Sequence, residues 1–490
     1  MSSRFFKVVG KLLVILGLIA LFIVQGREIA RLAQQGSEAV AYPYPLNYGE
    51  GPLLDQTVRI LSGGGLYNLD VPPYTITNYP PLYMLAQVPF VAGFGLSLAY
   101  GRLISLVSIA LAALFLGLTI RAITRNWVAA AAGGLLLLTI PYIFHWSALA
   151  RIDNFALSLS LIGLFCAAQF PNNGWGIFFA ALFMSAAVYT RQTYLLAAPL
   201  AAFVYLWANA GFIQAIKFAL WLGCIVLGVF AVLLAWTGGG IWFHLITANV
   251  NALDTGILGY YASEIVSSLV ILLGMALIVL LFGWIRPEPR RAWWMAAPYL
   301  LGGFVVALTI SKVGSDVNYL FELIAALCLA AGVFIALVKA APLVQMLALL
   351  LLAGQVVVMS RLTETQYAPL IAGRIANRAE ADMLYDAIVN ETRPILADEA
   401  MGMLVLAGKP ILFQPFEMSQ LALTGMWDQA AFLERMDGDA YPVILMYNPV
   451  ANPRLRFERW TPEMLAIIND RYRAAAQRAE TFVYWLDAGE

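Results

Sequence analysis

The stretch YPYPLNYGEGPLLDQTVRILSGGGLYNLDVPPYTITNYPPLY, residues 42–83, interrupts an otherwise apolar sequence. Its prolines, glycines and tyrosines mark an ordered loop, and apolar runs at 9–26 and 102–120 hold it at both ends. Nine more apolar runs follow, at 127–146, 154–170, 175–190, 193–208, 213–236, 265–285, 292–310, 320–338 and 341–359. A membrane span needs about 20 apolar residues, so several of these runs are short and their ends are soft. The pattern predicts a polytopic α-helical membrane protein of about 11 transmembrane helices, with interfacial helices in the first outer loop. Pro80–Leu98 is also apolar, but Pro80, Pro81, Pro89, Gly93 and Gly95 interrupt it, and it reads as a helix at the outer interface.

Composition agrees. The chain has 490 residues, 61% hydrophobic and 12% charged, with a mean hydropathy of +0.78. Soluble domains carry about 25% charged residues. Only 11 of the 29 acidic side chains precede residue 361. The first 360 residues therefore suit hydrocarbon and the last part suits water, which divides the chain into a membrane domain at 1–360 and a soluble domain at 361–490. A net charge of zero argues against a nucleic-acid partner. Cys166, Cys224 and Cys328 lie inside apolar runs at no metal or redox spacing and read as packing residues. The chain has only two histidines, far apart, and so no histidine-rich metal site is expected.

Charge orients the spans. MSSRFFKVVGK precedes the first run, and no small-residue cleavage site follows it, so the run reads as an uncleaved span with its basic end in the cytoplasm. RPEPRR, 286–291, also belongs inside, and it does so only if Pro80–Leu98 does not cross. Arg121, Arg125, Lys217 and Lys339 then fall inside as well, and the tail falls outside. Of the acids before 361, only Glu288 lies inside; Glu28, Glu38, Glu50, Asp55, Asp70, Asp153, Asp254, Glu264, Asp316 and Glu322 gather toward the outer face. Acids carry little topological signal, so this gathering points to an outward-facing polar site. Long outer loops at about 27–100 and 237–264 suit the same conclusion.

The tail alternates strand-like runs, 394–400, 441–447 and 481–487, with helix-like runs, 367–390, 418–435 and 462–478. This predicts a small C-terminal α/β domain on the outer face.

Several segments can carry chemistry. Pro52 suits the first turn of a helix running through Ile60, with Glu50 just before it. Asp55 and Arg59, four apart, share a face and can pair. This amphipathic helix is expected to lie flat on the outer leaflet and hold Glu50 at the water–lipid boundary. In ARID, 150–153, Arg151 and Asp153 fit either interface charges or a site. In YTRQTY, 189–194, Arg191 is held between apolar runs, where a cation calls for an anion such as a lipid phosphate or a headgroup. SKVGSDVNYLFEL, 311–323, brings Lys312, Asn318 and Tyr319 to the start of a span, where a helix N-terminus favours negative charge. His244 lies in the second long loop and fits either a donor contact or an interfacial histidine satisfied by its neighbours. There is no P-loop, GxSxG, HExxH or CxxC pattern, and GGGL at 63–66 reads as a turn.

Taken in order, NYGEGPLLDQTVRIL, NYPPLY, ARIDNFALSLSL, YTRQTYLLAAP and SKVGSDVNYLFEL resemble the membrane glycosyltransferases of the C-type (GT-C) fold. The likeness runs over 1–360 and is to the bacterial branch that includes protein O-mannosyltransferases and the lipid A aminoarabinose transferase. Such enzymes take a hexose or pentose from a polyprenyl-phosphate carrier and pass it to a lipid, glycan or protein acceptor on the outer face of the membrane. The resemblance implies a bacterial plasma-membrane glycosyltransferase with a first-loop acid as base. Glu50 matches the second acid of the family's Asp-Glu pair, and Gly49 stands at the first, which leaves the base between Glu50 and Asp55.

Inverting transfer needs a carboxylate to take the acceptor proton and cations to hold the leaving phosphate. Glu50, Asp55 and Asp153 are the candidate catalytic acids; Arg191, Lys312, Arg59 and Arg151 are the candidate phosphate ligands. Tyr79, Tyr83, His244, Asn318 and Tyr319 are candidate substrate contacts, and NYPPLY with Pro80–Leu98 is a candidate wall for the prenyl chain. No cofactor is required, although acids near Glu50 could supply oxygen ligands to a divalent metal. Two other classes compete. A secondary transporter would show an internal repeat and mid-span acids, and neither is evident. A non-catalytic accessory subunit that keeps the fold is favoured by Gly49.

Overall fold

The computed structural model describes residues 2–69, 72–249, 251–285, 287–449, 455–478 and 480–487. Asp70 and Arg286 fall outside these residues, as does the side chain of Glu288. Among the described residues, seven helices are long and apolar enough to cross a membrane, and nine if each of two bent pairs counts as one span. The chain is a multi-pass membrane protein. The expected 11 would need Asp153–Gln169 and Gly174–Val188 to cross as well, and these have 17 and 15 residues.

Several boundaries differ from expectation, for local reasons. Helix α1 runs over Ser2–Ala41 without breaking after 26. Its C-terminal half carries Glu28, which pairs with Arg31 at 3.2 Å, while Arg27 and Arg31 reach Glu364 just beyond the Pro342–Leu362 helix. The two helices thus extend side by side past the apolar region, and the first loop starts at 42 rather than 27. The expected span at 127–146 bends by 60° at Pro141, where the ring cannot continue the preceding helix. The expected span at 265–285 bends by 86° between Thr255–Ser268 and Val270–Phe282. Helix α3, Leu82–Phe94, has 13 residues and is about 20 Å long, short of a 30 Å hydrocarbon core.

Phe321–Leu337 is the innermost helix, and it is apolar all round because it is buried on nearly every side. Small residues let its neighbours approach: a Cβ on Gly133 would lie 2.9 Å from the Cys328 carbonyl and 3.2 Å from the Gly332 Cα. Cys328 is buried in this packing, Cys166 is half-buried, and Cys224 faces outward from the peripheral Phe212–Trp236 helix.

The C-terminal segment holds a four-stranded sheet in the order β1-β2-β4-β3, built from β1 (Ile395–Ala397), β2 (Val443–Tyr447), β3 (Tyr472–Arg478) and β4 (Thr481–Leu486). β1 pairs with β2 in parallel; the other two pairs are antiparallel, with a bulge at Ala474/Ala476. The expected helix at 462–478 ends at Arg471. YRAAAQR has helical propensity, but it becomes an edge strand because β4 offers it a ladder. The expected helix at 418–435 divides into Pro415–Leu423 and Ala430–Asp437, with Gly425 at φ +71° between them.

This segment and the first loop share a core. Phe413 stacks on Phe432 at 4.4 Å, and Tyr74 packs edge-on to Phe432 at 5.0 Å. Backbone bonds stitch them: Tyr74 N–H donates to the Leu412 carbonyl at 3.0 Å and Gln414 N–H to the Tyr74 carbonyl at 2.9 Å. Helix α2, Glu50–Leu61, is caught between α3 and Met401–Leu406. A Cβ on Gly51 would lie 2.4 Å from the Gly402 nitrogen, so the two backbones touch. The helix does not lie flat on a leaflet, because the tail covers it.

Candidate active site

Glu50 is not at a water–lipid boundary. It opens α2 with a fully buried side chain and faces Arg102, also fully buried, from the first turn of α4 (Ala99–Thr124). The two meet in a bidentate pair, Nε to Oε1 at 2.9 Å and Nη2 to Oε2 at 2.8 Å. Leu46 N–H and Ala150 N–H each donate to Glu50 at 2.6 Å. The remaining Arg102 donors reach the carbonyls of Ala39 in the last turn of α1 and of Tyr42 and Tyr44 just past it. All five guanidinium N–H groups are used, and both carboxylate oxygens accept two bonds. A carboxylate so enclosed cannot take a substrate proton. Glu50 is a structural anchor, which corrects its assignment as the base. Arg102, alone at the head of an apolar run, was the sequence signal for this pair, since such a cation needs a buried acid.

A cavity of about 1650 Å³ opens between the helical bundle, the two long loops and the C-terminal segment. Tyr79, Arg151, Arg191, Lys312, Asn318 and Tyr319 all line it. Asp153, at the head of the Asp153–Gln169 helix, pairs with Arg191 behind the wall. Trp146 Nε1 donates to Asp153 at 2.5 Å and Asn318 Nδ2 at 3.0 Å, so the carboxylate is held from three sides. Asp153 therefore braces Arg191 and does not itself line the cavity. The Arg191 guanidinium lies over the Tyr319 ring, 4.4 Å from its centre. Arg151 donates to the Tyr79 hydroxyl at 3.2 Å and sits 5.3 Å over the Trp146 ring. Lys312 donates to the Asn249 carbonyl at 2.6 Å; burial, and then the nearby Arg191 charge, hold its amine below the usual range.

Four candidates lie away from this wall. Asp55 pairs with Arg59 at 2.7 Å, and Arg59 donates to Thr75 at 3.0 Å, on the side of α2 away from the cavity. Tyr83 is fully buried and donates to the Gly101 carbonyl at 3.1 Å. His244 is buried under the first loop: its Nδ1 accepts from Thr77 N–H at 3.0 Å, so Nε2 carries the proton and donates to the Asn68 carbonyl at 2.8 Å. These corrections share one cause, since each side chain completes hydrogen bonds the folded loop needs. His244→Phe is expected to cost about 2 kcal/mol of stability, measured by thermal unfolding in detergent, through two unpaired buried backbone groups.

Gly49 lines the cavity at φ −78°, a conformation any L-residue adopts. What requires glycine is Arg151, whose Nη1 lies 1.2 Å from where a Cβ would stand. The guanidinium occupies the volume of the missing side chain. Gly49→Ala should displace Arg151 from Tyr79 with little loss of stability.

The sequence reading missed residues that the tail brings to the cavity. Arg374 and Arg459 both hold Glu399 at 2.8 Å, and Glu417 faces the first loop. They lie far from the first loop in the chain, and no local pattern marks them. Among the described residues no group of three His, Cys, Asp or Glu side chains converges.

The helical bundle, with a cavity at its mouth under a C-terminal α/β segment, has the GT-C fold of the solved structures on which it superposes. Over 99% of this chain and 98% of the other, it superposes on ArnT from Cupriavidus metallidurans in the apo state, with a TM-score of 0.61 and 15% identity. ArnT from the same organism bound to undecaprenyl phosphate gives 0.60 and 15% identity, over 98% of both chains. An Archaeoglobus fulgidus oligosaccharyltransferase gives 0.55 and 12% identity, over 95% of this chain and 73% of that one. These likenesses are of fold. No protein-family model and no curated protein matches the sequence.

Proposed function

We propose that this chain is a glycosyltransferase that moves a sugar from a polyprenyl-phosphate carrier to a lipid, glycan or protein acceptor. The observation that carries the reading is the cationic wall: Arg151, Arg191 and Lys312 line one cavity although they stand far apart in the sequence. Asp153 balances Arg191, while Arg151 and Lys312 form no ion pair among the described residues, and a lipid phosphate at the edge of a bilayer is an anion that would match them. The binding of undecaprenyl phosphate by a structural neighbour supports that choice of probe. Leu85, Phe90 and Phe94 on α3 are exposed and apolar, and offer the prenyl chain a surface beside the cavity.

In this mechanism Arg191, oriented by Asp153, and Lys312 hold the phosphate as negative charge develops on the leaving oxygen. Arg151 assists from the other wall, and Tyr79, Asn318 and Tyr319 contact the sugar. The residues were placed before the reaction, so little reorganisation is needed at the moment of transfer. The orientation follows the basic segments: N-terminus in the cytoplasm, and cavity and C-terminal domain, 361–490, outside a bacterial plasma membrane.

The second reading is an accessory subunit that binds a lipid phosphate without turnover. Gly49 and the locked Glu50 favour it, since neither supplies a first-loop base. Both readings are tested by titrating undecaprenyl phosphate into the chain in nanodiscs and following release of labelled sugar from the sugar-loaded carrier. Binding with turnover supports the enzyme, and binding alone the subunit. Absence of binding overturns both. Gly49→Ala is expected to weaken the carrier about tenfold by moving one charge-assisted contact, worth about 1.5 kcal/mol.

A further inference from the structure

We propose that Glu417, on the Pro415–Leu423 helix of the C-terminal segment, is the carboxylate that takes the proton from the acceptor hydroxyl. The inference rests on the glycosyltransferase reading and fills the vacancy left by Gly49 and Glu50.

Six carboxylates line the cavity: Asp254, Asp316, Glu399, Glu417, Glu458 and Glu480. Asp254 accepts from Gly256 N–H and Asp316 from Val317 N–H, both at 2.7 Å, so each caps its own helix. Glu399 is clamped between two guanidinium groups. Glu480 meets the Tyr447 hydroxyl at 3.1 Å beside the sheet, and Glu458 adjoins Arg459. Glu417 bonds directly to the first loop: Oε2 accepts from the Tyr48 hydroxyl at 2.8 Å and Oε1 from Asn78 Nδ2 at 3.3 Å. Tyr48 immediately precedes Gly49. The tail thus delivers an acid beside the position where the resemblance leads one to expect a first-loop acid.

The chemistry of its surroundings suits a base. Both donors are uncharged, so they hold the carboxylate without the ion pair that quenches Glu50 and Glu399. Tyr48 Oη also accepts from Phe416 N–H at 3.1 Å, which directs its own proton to Glu417. Burial, and then Glu417, raise the Tyr48 phenol well above its ordinary range, so it stays a donor. Burial also pushes the Glu417 carboxyl up to about 7, against the lowering effects of Tyr48, Arg151 and Arg459. A base with that affinity is about half ionised at neutral pH and takes a proton readily.

The step balances. The acceptor oxygen forms a bond to the anomeric carbon while its proton passes to Glu417. The bond from that carbon to the phosphate oxygen breaks, and its electron pair stays on the phosphate, held by Arg191 and Lys312.

The full chain in nanodiscs is assayed from pH 5.5 to 9 with undecaprenyl-phosphate-linked mannose and arabinose, and for binding of undecaprenyl phosphate alone. Wild-type transfer is expected to rise with pH through a limb near 7, because the deprotonated carboxylate is the working form. Glu417→Gln should lower transfer at least 100-fold with the carrier Kd unchanged within threefold, and Glu417→Asp should keep part of the activity. Tyr48→Phe removes a bond that favours the anion and should move the limb to higher pH, which a purely structural contact would not do. Transfer by Glu417→Gln within threefold of wild type, or an unmoved limb in Tyr48→Phe, overturns the inference and leaves the enzyme standing. A wild type that binds the carrier but never releases sugar from either donor is a non-catalytic subunit and overturns the inference too. A wild type that does neither sinks the function reading itself.

Discussion

Arg102→Met should destabilise the chain by about 3–5 kcal/mol, enough to empty much of the folded population. The substitution leaves Glu50 without its partner in a fully buried site, and it strips three carbonyls at and beyond the end of α1 of their donor. Both losses fall on one point, where α1, the first loop, α4 and the segment at 150 meet. Loss should therefore spread to the cavity, since Arg151 follows Ala150 directly. Glu50→Gln combined with Arg102→Met removes the stranded charge and should recover part of the loss. Thermal unfolding of the two single variants and the double variant in detergent gives the coupling energy. A coupling under about 0.5 kcal/mol would falsify the anchor assignment, because independent sites are additive to that degree.

Arg191→Ala should weaken undecaprenyl phosphate binding and lower transfer by 100- to 1000-fold, about 3–4 kcal/mol. Arg191 is the cation most firmly aimed into the cavity, with Asp153 behind it and the Tyr319 ring against its face. Removing it alone also strands Asp153, so the loss mixes binding with stability. Asp153→Asn separates the two. It keeps the cation and relaxes its position, so transfer should fall more than carrier affinity does. Arg191→Lys keeps charge but loses the planar contact with Tyr319, and it should bind the carrier weakly rather than not at all. Carrier affinity and the transfer rate, measured side by side on the three variants, distinguish a phosphate ligand from a headgroup anchor. Equal carrier affinity in wild type and Arg191→Ala would remove Arg191 from the phosphate site.

Much of the site was legible as chemistry. A cation wedged between apolar runs, as Arg191 is, needs an anion wherever the chain folds, and Lys312 and Arg151 stand at similar breaks. Their meeting in one cavity is shown by the folded chain. What misled was the first loop. Glu50 looked exposed because its neighbours are polar, and Pro52 suggested a helix on the surface. Its partner Arg102 lies 52 residues away; that arginine signals a need for a buried acid but not which acid meets it. Asp55, Arg59, Tyr83 and His244 were misplaced because only the folded loop decides which face each turns to the cavity.

Sequence alone determined that the chain crosses a membrane, since apolar length and the distribution of charge act residue by residue against the bilayer. It also determined which cations need anionic partners. The tertiary structure decided which acids are consumed as structure and which remain open to substrate. That distinction depends on desolvation and on contacts between distant segments, above all the tail closing over the first loop, where it buries α2 and sets Glu417 beside Tyr48.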